Sequence, residues 1–173
     1  MHRRHFLLFS AALAGVLASP LADAAPTTAP PLTVFVVRHA EKAKGDDPPL
    51  LPVGAARAAA LDRMLGDVVL QGIWSSDTQR TRDTAGPTAT ARDMPLKFYD
   101  PRDSDALVKR LKAAGGTHLV VGHSNTVPAL VHALGGVKGP DLPETEYDRL
   151  MVVVVPETGP PAVQILRYGT PAH

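Results

Sequence analysis

The sequence predicts an α/β fold, a three-layer sandwich in which a mostly parallel central sheet carries helices on both faces. Three observations predict it. Uninterrupted runs of β-branched residues, such as Thr33-Val34-Phe35-Val36-Val37, recur along the chain and read as strands buried on both faces of a sheet. Segments of strong helix formers closed by Gly or Pro fall between those runs, and strands alternating with helices imply a sheet held between helical layers. The composition suits one such domain. Its 173 residues are 45% hydrophobic and 20% charged, with no cysteine, which gives a core of ordinary size and excludes a disulfide scaffold or a disordered chain.

The elements follow in order. Residues 1–5 are basic, residues 6–18 form an apolar run, and Ala22-Asp23-Ala24 supplies small residues at an A-x-A spacing. That is the layout of a secretory signal cut after Ala24. Arg3-Arg4-His5-Phe6-Leu7 also fits the core of a twin-arginine signal, which exports folded protein. The expected organisation is a signal peptide at 1–24, a Pro/Thr/Ala tether at 25–32 and a folded domain at 33–173, in a periplasmic or secreted protein. The apolar run is shorter than the ~17–25 residues of a membrane helix, so no stable span is expected.

The strand at 33–37 ends at Arg38-His39, and the polar, Pro-rich stretch 42–49 is a loop. After Pro52 and Gly54 an Ala/Leu-rich helix runs to Leu65. A second strand is expected at 68–74, with Ser75-Ser76-Asp77 capping a helix over 78–91 that breaks or ends near Gly86-Pro87. A short strand at 96–99 precedes a helix at 103–114, in which Asp103 satisfies the first N–H groups and Gly115-Gly116 stops the last turn. Residues 118–122 form the next buried strand. Ser124 or Asn125 caps a helix with Pro128 in its first turn that ends at Gly135-Gly136. Residues 150–155 and 162–167 flank a Pro/Gly-rich turn and form a terminal hairpin.

Charge excludes some functions. With 18 basic and 17 acidic residues the net charge is +1, and removing residues 1–24 leaves the chain formally neutral. No global field is available to hold nucleic acid. Any anion site is local, and in an open α/β sheet ligands gather at the carboxyl ends of the strands. Three polar clusters fall there: Arg38-His39, the stretch from Ser75 to Arg80, and Gly122-His123-Ser124. Two Arg and two His make a poor metal site, because a guanidinium beside a metal ion is unfavourable. They suit a phosphoryl group, whose oxygens match guanidinium forks.

The motifs Val37-Arg38-His39-Ala40-Glu41, Ser75-Ser76-Asp77-Thr78-Gln79-Arg80-Thr81-Arg82-Asp83-Thr84-Ala85 and Val121-Gly122-His123-Ser124 resemble the histidine phosphatase superfamily, also called phosphoglycerate-mutase-like, in that family's order. Leu51-Pro52-Val53-Gly54 with Arg57, Ala58 and Leu61 is similar to the start of its first helix. The resemblance implies that His39 is the nucleophile that becomes phosphohistidine and that Arg38, Arg80 and His123 bind the phosphate. Arg80 rather than Arg82 aligns with the first Arg of the family's S-x-x-x-R-A-x-x-T-A pattern. Ala40 stands where the commonest first motif has Gly. No cofactor or metal is implied.

For the general acid, Asp100, Asp103 and Asp105 lie between the second Arg and the second His. Asp100 follows a strand and is the favoured candidate, with Glu146 a remoter one. The residues read as structural are His118 and His132, Trp74 as core, Arg57 and Arg82 as solvated helix residues or ion-pair partners, and residues 144–148 as an acidic loop. The expected function is an exported, metal-independent phosphatase acting on a phosphorylated small molecule, sugar or phosphoprotein. The alternatives are a non-catalytic phosphate or phosphoglycan binder using the same pocket, or mutase-type phosphoryl transfer.

Overall fold

The computed structural model of the chain describes residues 31–171. The expected signal peptide and most of the tether lie outside the described residues. A six-stranded sheet has the order β3-β2-β4-β1-β5-β6. Its strands are β1 (Leu32–Arg38), β2 (Gly72–Ser76), β3 (Leu96–Tyr99), β4 (Thr117–Gly122), β5 (Arg149–Val155) and β6 (Ala162–Arg167). The helices are α1 (Pro52–Met64), α2 (Gln79–Ala91), α3 (Ser104–Ala114) and α4 (Thr126–Ala133). β3, β2, β4 and β1 run parallel. The β5–β6 hairpin adds two antiparallel pairings at one edge.

The side-chain alternation of each strand feeds two cores. Val34, Val36, Val120 and Val153 face α3 and α4, where Leu107, Leu111, Leu130 and Val131 cover them. Val37, Leu119, Val121 and Leu150 face the other way, onto Leu61 of α1 and Ala85 and Ala89 of α2. Helices therefore cover both faces, and the doubly buried central strands explain why β1 and β4 read as unbroken apolar runs.

Three expectations shift. Neither Ser124 nor Asn125 caps α4: Asn125 makes no side-chain cap bond and Ser124 Oγ donates to Glu144. The second strand is Gly72–Ser76 rather than 68–74, so Ser75 and Ser76 are buried strand residues and not helix caps. The free N-terminus of α2 is served from a distance, the Gln79 amide donating to Asp47 Oδ1 at 2.8 Å. Pro87 sits inside α2 without ending it. Thr84, Ala85, Thr88 and Ala89 are buried on that helix, and tertiary packing outweighs the local cost of the proline. The expected cap of α3 is present, with Asp103 Oδ1 accepting from the Ala106 amide at 2.9 Å. Among the described residues no helix is long and apolar enough to cross a membrane.

Candidate active site

The parallel register sets Arg38 beside Gly122 and Ser75 beside Val121, so the carboxyl ends of β1, β2 and β4 lie side by side. The ladder continues one residue past β1: the His39 amide donates to Gly122 O at 2.9 Å. This brings together Arg38, His39, Arg80 and His123. The His39 and His123 ring centroids are 5.6 Å apart, edge to face, and Arg80 Nη2 lies 3.4 Å from His123 Nδ1.

The segment around His39 is held at every residue. The Ala40 amide donates to Thr84 Oγ1 at 2.9 Å, and that hydroxyl donates to Arg80 O at 2.7 Å, which ties the first motif to the second. Glu41 O accepts from the Leu51 amide at 2.9 Å. Glu41 also accepts a bidentate pair of bonds from Arg57, which donates in turn to Tyr168 O at 3.0 Å. Arg57 is thus an ion-pair partner that is buried rather than solvated. Burial pulls its pKa down, but Glu41 outweighs that and raises it.

His39 Nδ1 lies 2.8 Å from Ala40 O. A carbonyl only accepts, so Nδ1 carries the proton and Nε2 keeps its lone pair. Burial lowers the His39 pKa to about 4, with the Arg38 charge adding to it against the Ala40 bond. His123 is likewise lowered to about 4 by burial, then by Arg80 and Arg38. Both imidazoles are neutral at pH 7. For His123 the guanidinium of Arg80 can only donate, which leaves Nε2–H to donate to Ser76 Oγ at 2.8 Å. Ser76 Oγ donates onward to Thr81 Oγ1 at 3.1 Å. The buried serine of β2 therefore fixes the tautomer and orientation of His123.

Arg38 is gripped by the loop between α4 and β5. Its Nη1 donates to Pro143 O at 2.7 Å, its Nη2 to Glu144 Oε2 at 2.8 Å, and its guanidinium lies 4.4 Å from the Tyr147 ring centre. The Tyr147 ring is also 6.2 Å from that of His39. Glu144 Oε1 accepts from Ser124 Oγ at 3.3 Å, and Arg38 holds the Glu144 carboxyl below the usual range. Glu144 and Tyr147 are the site residues that sequence reasoning missed. The nearest signal was the acidic loop itself, anchored by buried Leu142, whose amide donates to Ser124 O at 2.9 Å.

The other carboxylates are elsewhere. Asp100, at the end of edge strand β3, accepts from the Arg102 amide and guanidinium, which lower its pKa. It is not brought into the set around His39. Glu146 is bound by Arg149 and Arg167 under the β5–β6 hairpin. Arg82 turns outward and pairs with Asp77. Exposed His132 sits at the end of α4, with Nδ1 3.1 Å from Gly136 O. Two buried donors, Arg38 Nε and Arg80 Nε, have no acceptor among the described residues. Orphaned guanidinium N–H groups on both sides of a neutral imidazole are what an oxyanion would satisfy.

The sequence pattern of the histidine phosphatase superfamily (branch 1) matches residues 34–101. The chain resembles that family in sequence and in fold. The protein histidine phosphatase SixA, solved with tungstate, aligns at 20% identity over 79% of this chain and 97% of that one, with a TM-score of 0.64. A mycobacterial glucosyl-3-phosphoglycerate phosphatase aligns at 15% identity over 80% and 100%, with a TM-score of 0.63. A phosphoglycerate mutase from Bacillus anthracis aligns at 16% identity over 80% and 93%, with a TM-score of 0.58. No curated protein is a match by sequence. The described residues thus take the histidine phosphatase and phosphoglycerate-mutase-like fold.

Proposed function

We propose that the protein is a phosphatase that hydrolyses a phosphomonoester, or a phosphohistidine, through a phosphohistidine intermediate on His39. The observation that carries this reading is the state of His39: neutral, with Nδ1–H tied to Ala40 O and Nε2 free, between two guanidinium groups and a second imidazole. In the first step Nε2 forms the N–P bond as the P–O bond to the leaving group breaks, and covalent catalysis divides hydrolysis into two easier displacements. Arg38 and Arg80 bear the charge on the transferring oxygens, each charge-assisted contact contributing about 1.5–3 kcal/mol. In the second step water attacks phosphorus, the N–P bond breaks and the electron pair returns to Nε2.

In this reading Glu144, bonded to Arg38, manages protons. Held ionised by Arg38, it takes the proton from the attacking water in the second step and releases it to solvent, while the leaving-group oxygen of the first step takes its proton from solvent. Asp100, already committed to Arg102, lies outside that exchange. The whole scheme uses the chain's own side chains. The fold's phosphatase neighbours support hydrolysis. The N-terminal segment supports export, with cleavage after Ala24 checked by N-terminal mass analysis of envelope material.

The test is turnover of aryl and alkyl phosphates, phosphorylated sugars and phosphoproteins by residues 25–173. His39→Ala is expected to reduce activity by far more than tenfold, and wild type to trap an acid-labile phosphoenzyme. Activity above a tenth of wild type, a barrier change below about 1.4 kcal/mol, removes His39 as nucleophile. Glu144→Gln is expected to slow breakdown of the phosphoenzyme, so that the intermediate accumulates with alkyl and aryl phosphates alike, and Asp100→Asn to leave both unchanged.

A further inference from the structure

The two edges of the sheet are managed in different ways. At the β3 edge, Lys97 places a charge in the strand and Arg110 Nη1 donates to Phe98 O at 3.1 Å. Charges and capped carbonyls of this kind block strand addition. At the other edge β6 reads Ala162-Val163-Gln164-Ile165-Leu166-Arg167, and all six residues are exposed. It has no internal proline and no charge before Arg167, which is already paired with Glu146 and Asp148. Val163 and Ile165 are 38% and 55% exposed and border a cleft with Gly135, Gly136, Val137 and Pro161. Val137 is 90% exposed.

We propose that β6 pairs antiparallel with β6 of a second copy of this chain, joining two sheets across a two-fold axis. The sequence of β6 is self-complementary in one register. With Gln164 opposite its own counterpart, Val163 faces the second copy's Ile165 and Ala162 faces its Leu166, in both directions. Opposed residues of an antiparallel pair project from the same face. The two clefts beside Val163 and Ile165 therefore merge into one apolar surface, and the two Gln164 amides meet at the axis. No like charges oppose each other, because Arg167 falls opposite Pro161. The chain's own segment ahead of β1 is a poorer occupant, since Pro26, Pro30 and Pro31 cannot donate to a ladder.

Size sets the strength. A six-residue strand is about 20 Å long, and strand pairing with one adjoining cleft covers less than the ~800 Å² per partner of a standard interface. The dimer is therefore reversible, and its population rises with concentration. The active site lies at the carboxyl ends of β1, β2 and β4, so dimerisation leaves the hydrolytic residues untouched.

The absence of native cysteine permits a direct test. A single Gln164→Cys places two sulfurs at the axis, where opposed Cα atoms about 4.5–5.5 Å apart fall within disulfide range. Val69→Cys, at a site 78% exposed in the turn before β2, is the control. Under mild oxidation Gln164→Cys is expected to form a covalent dimer at least ten times faster than Val69→Cys. Sedimentation of the wild type should show a concentration-dependent dimer that Ile165→Lys abolishes while aryl phosphate turnover is unchanged. A monomer at all concentrations, equal cross-linking at both cysteines, or an Ile165→Lys dimer overturns the proposal. So does hydrogen-exchange protection of β6 in a monomer, which would mean that another part of the chain covers the edge.

Discussion

A histidine is a nucleophile only while unprotonated, so under the proposed mechanism the pKa of His39 decides where catalysis is available. Burial and the neighbouring guanidinium groups hold it near 4, against about 6.5 for a free imidazole. The direction is downward, which extends activity to lower pH. The acid limb of kcat/KM, corrected for ionisation of the substrate, is expected near pH 4, with no titration of His39 between 5 and 8. A limb near 6.5 would mean that the ring is solvated during turnover. Arg80 and Arg82 give a second test at this scale. Two residues apart on α2, they point about 200° from each other, and Arg80 meets His123 while Arg82 meets Asp77. Arg80→Ala is expected to lose vanadate affinity and turnover together. Arg82→Ala is expected to change stability by less than about 0.5 kcal/mol. The reverse result would shift the second motif by two residues.

At the scale of elements, the strands and helices that build the site were legible wherever the residue pattern was one-sided. β1 and β4 are apolar on both faces, and α3 has both a capping Asp103 and a stopping Gly115-Gly116 pair. β2 was displaced because Ser75 and Ser76 look like caps; their buried hydroxyls are satisfied by Ser76 O, Thr81 and His123, contacts no local pattern contains. Arg38, His39, Arg80 and His123 were legible because strand ends of a parallel sheet converge. Glu144 and Tyr147 were not, since only the fold of a loop returning over Arg38 places them. Gly54 shows how closely α1 depends on the site. A Cβ there would lie 2.1 Å from Glu41 O, a backbone atom two residues from His39. Gly54→Ala is expected to destabilise the protein by about 1–3 kcal/mol, as overpacking does, and to lower kcat as the 39–41 segment moves. Denaturant titration and turnover of the same variant check it. Wild-type values for both would mean that α1 can slide away from Glu41.

For the whole molecule the consequence of several buried neutral imidazoles is acid lability. His39 and His123 are lowered to about 4. His118, in the α3–α4 layer, is also lowered by burial. Its Nε2–H donates to Gly115 O at 2.8 Å, and its Nδ1 accepts from Trp74 Nε1 at 3.3 Å, so protonation would set two N–H groups against each other. The unfolded chain binds protons at these sites below about pH 6.5, whereas the folded chain resists, at His39 and His123 until about 4. Stability is therefore complete above 6.5 and lost as the pH falls through that window. A fall from 6.5 to about 4 corresponds to about 3 kcal/mol for one imidazole. The effects of His39 and His123 add incompletely, because each ring responds to the same two guanidinium groups. The single tryptophan, buried in the core, reports unfolding by its emission. Urea midpoints are expected to fall between pH 7 and 4.5 with the slope unchanged, and His39→Asn is expected to flatten that fall. A midpoint constant over the range would show that all three rings are hydrated in solution.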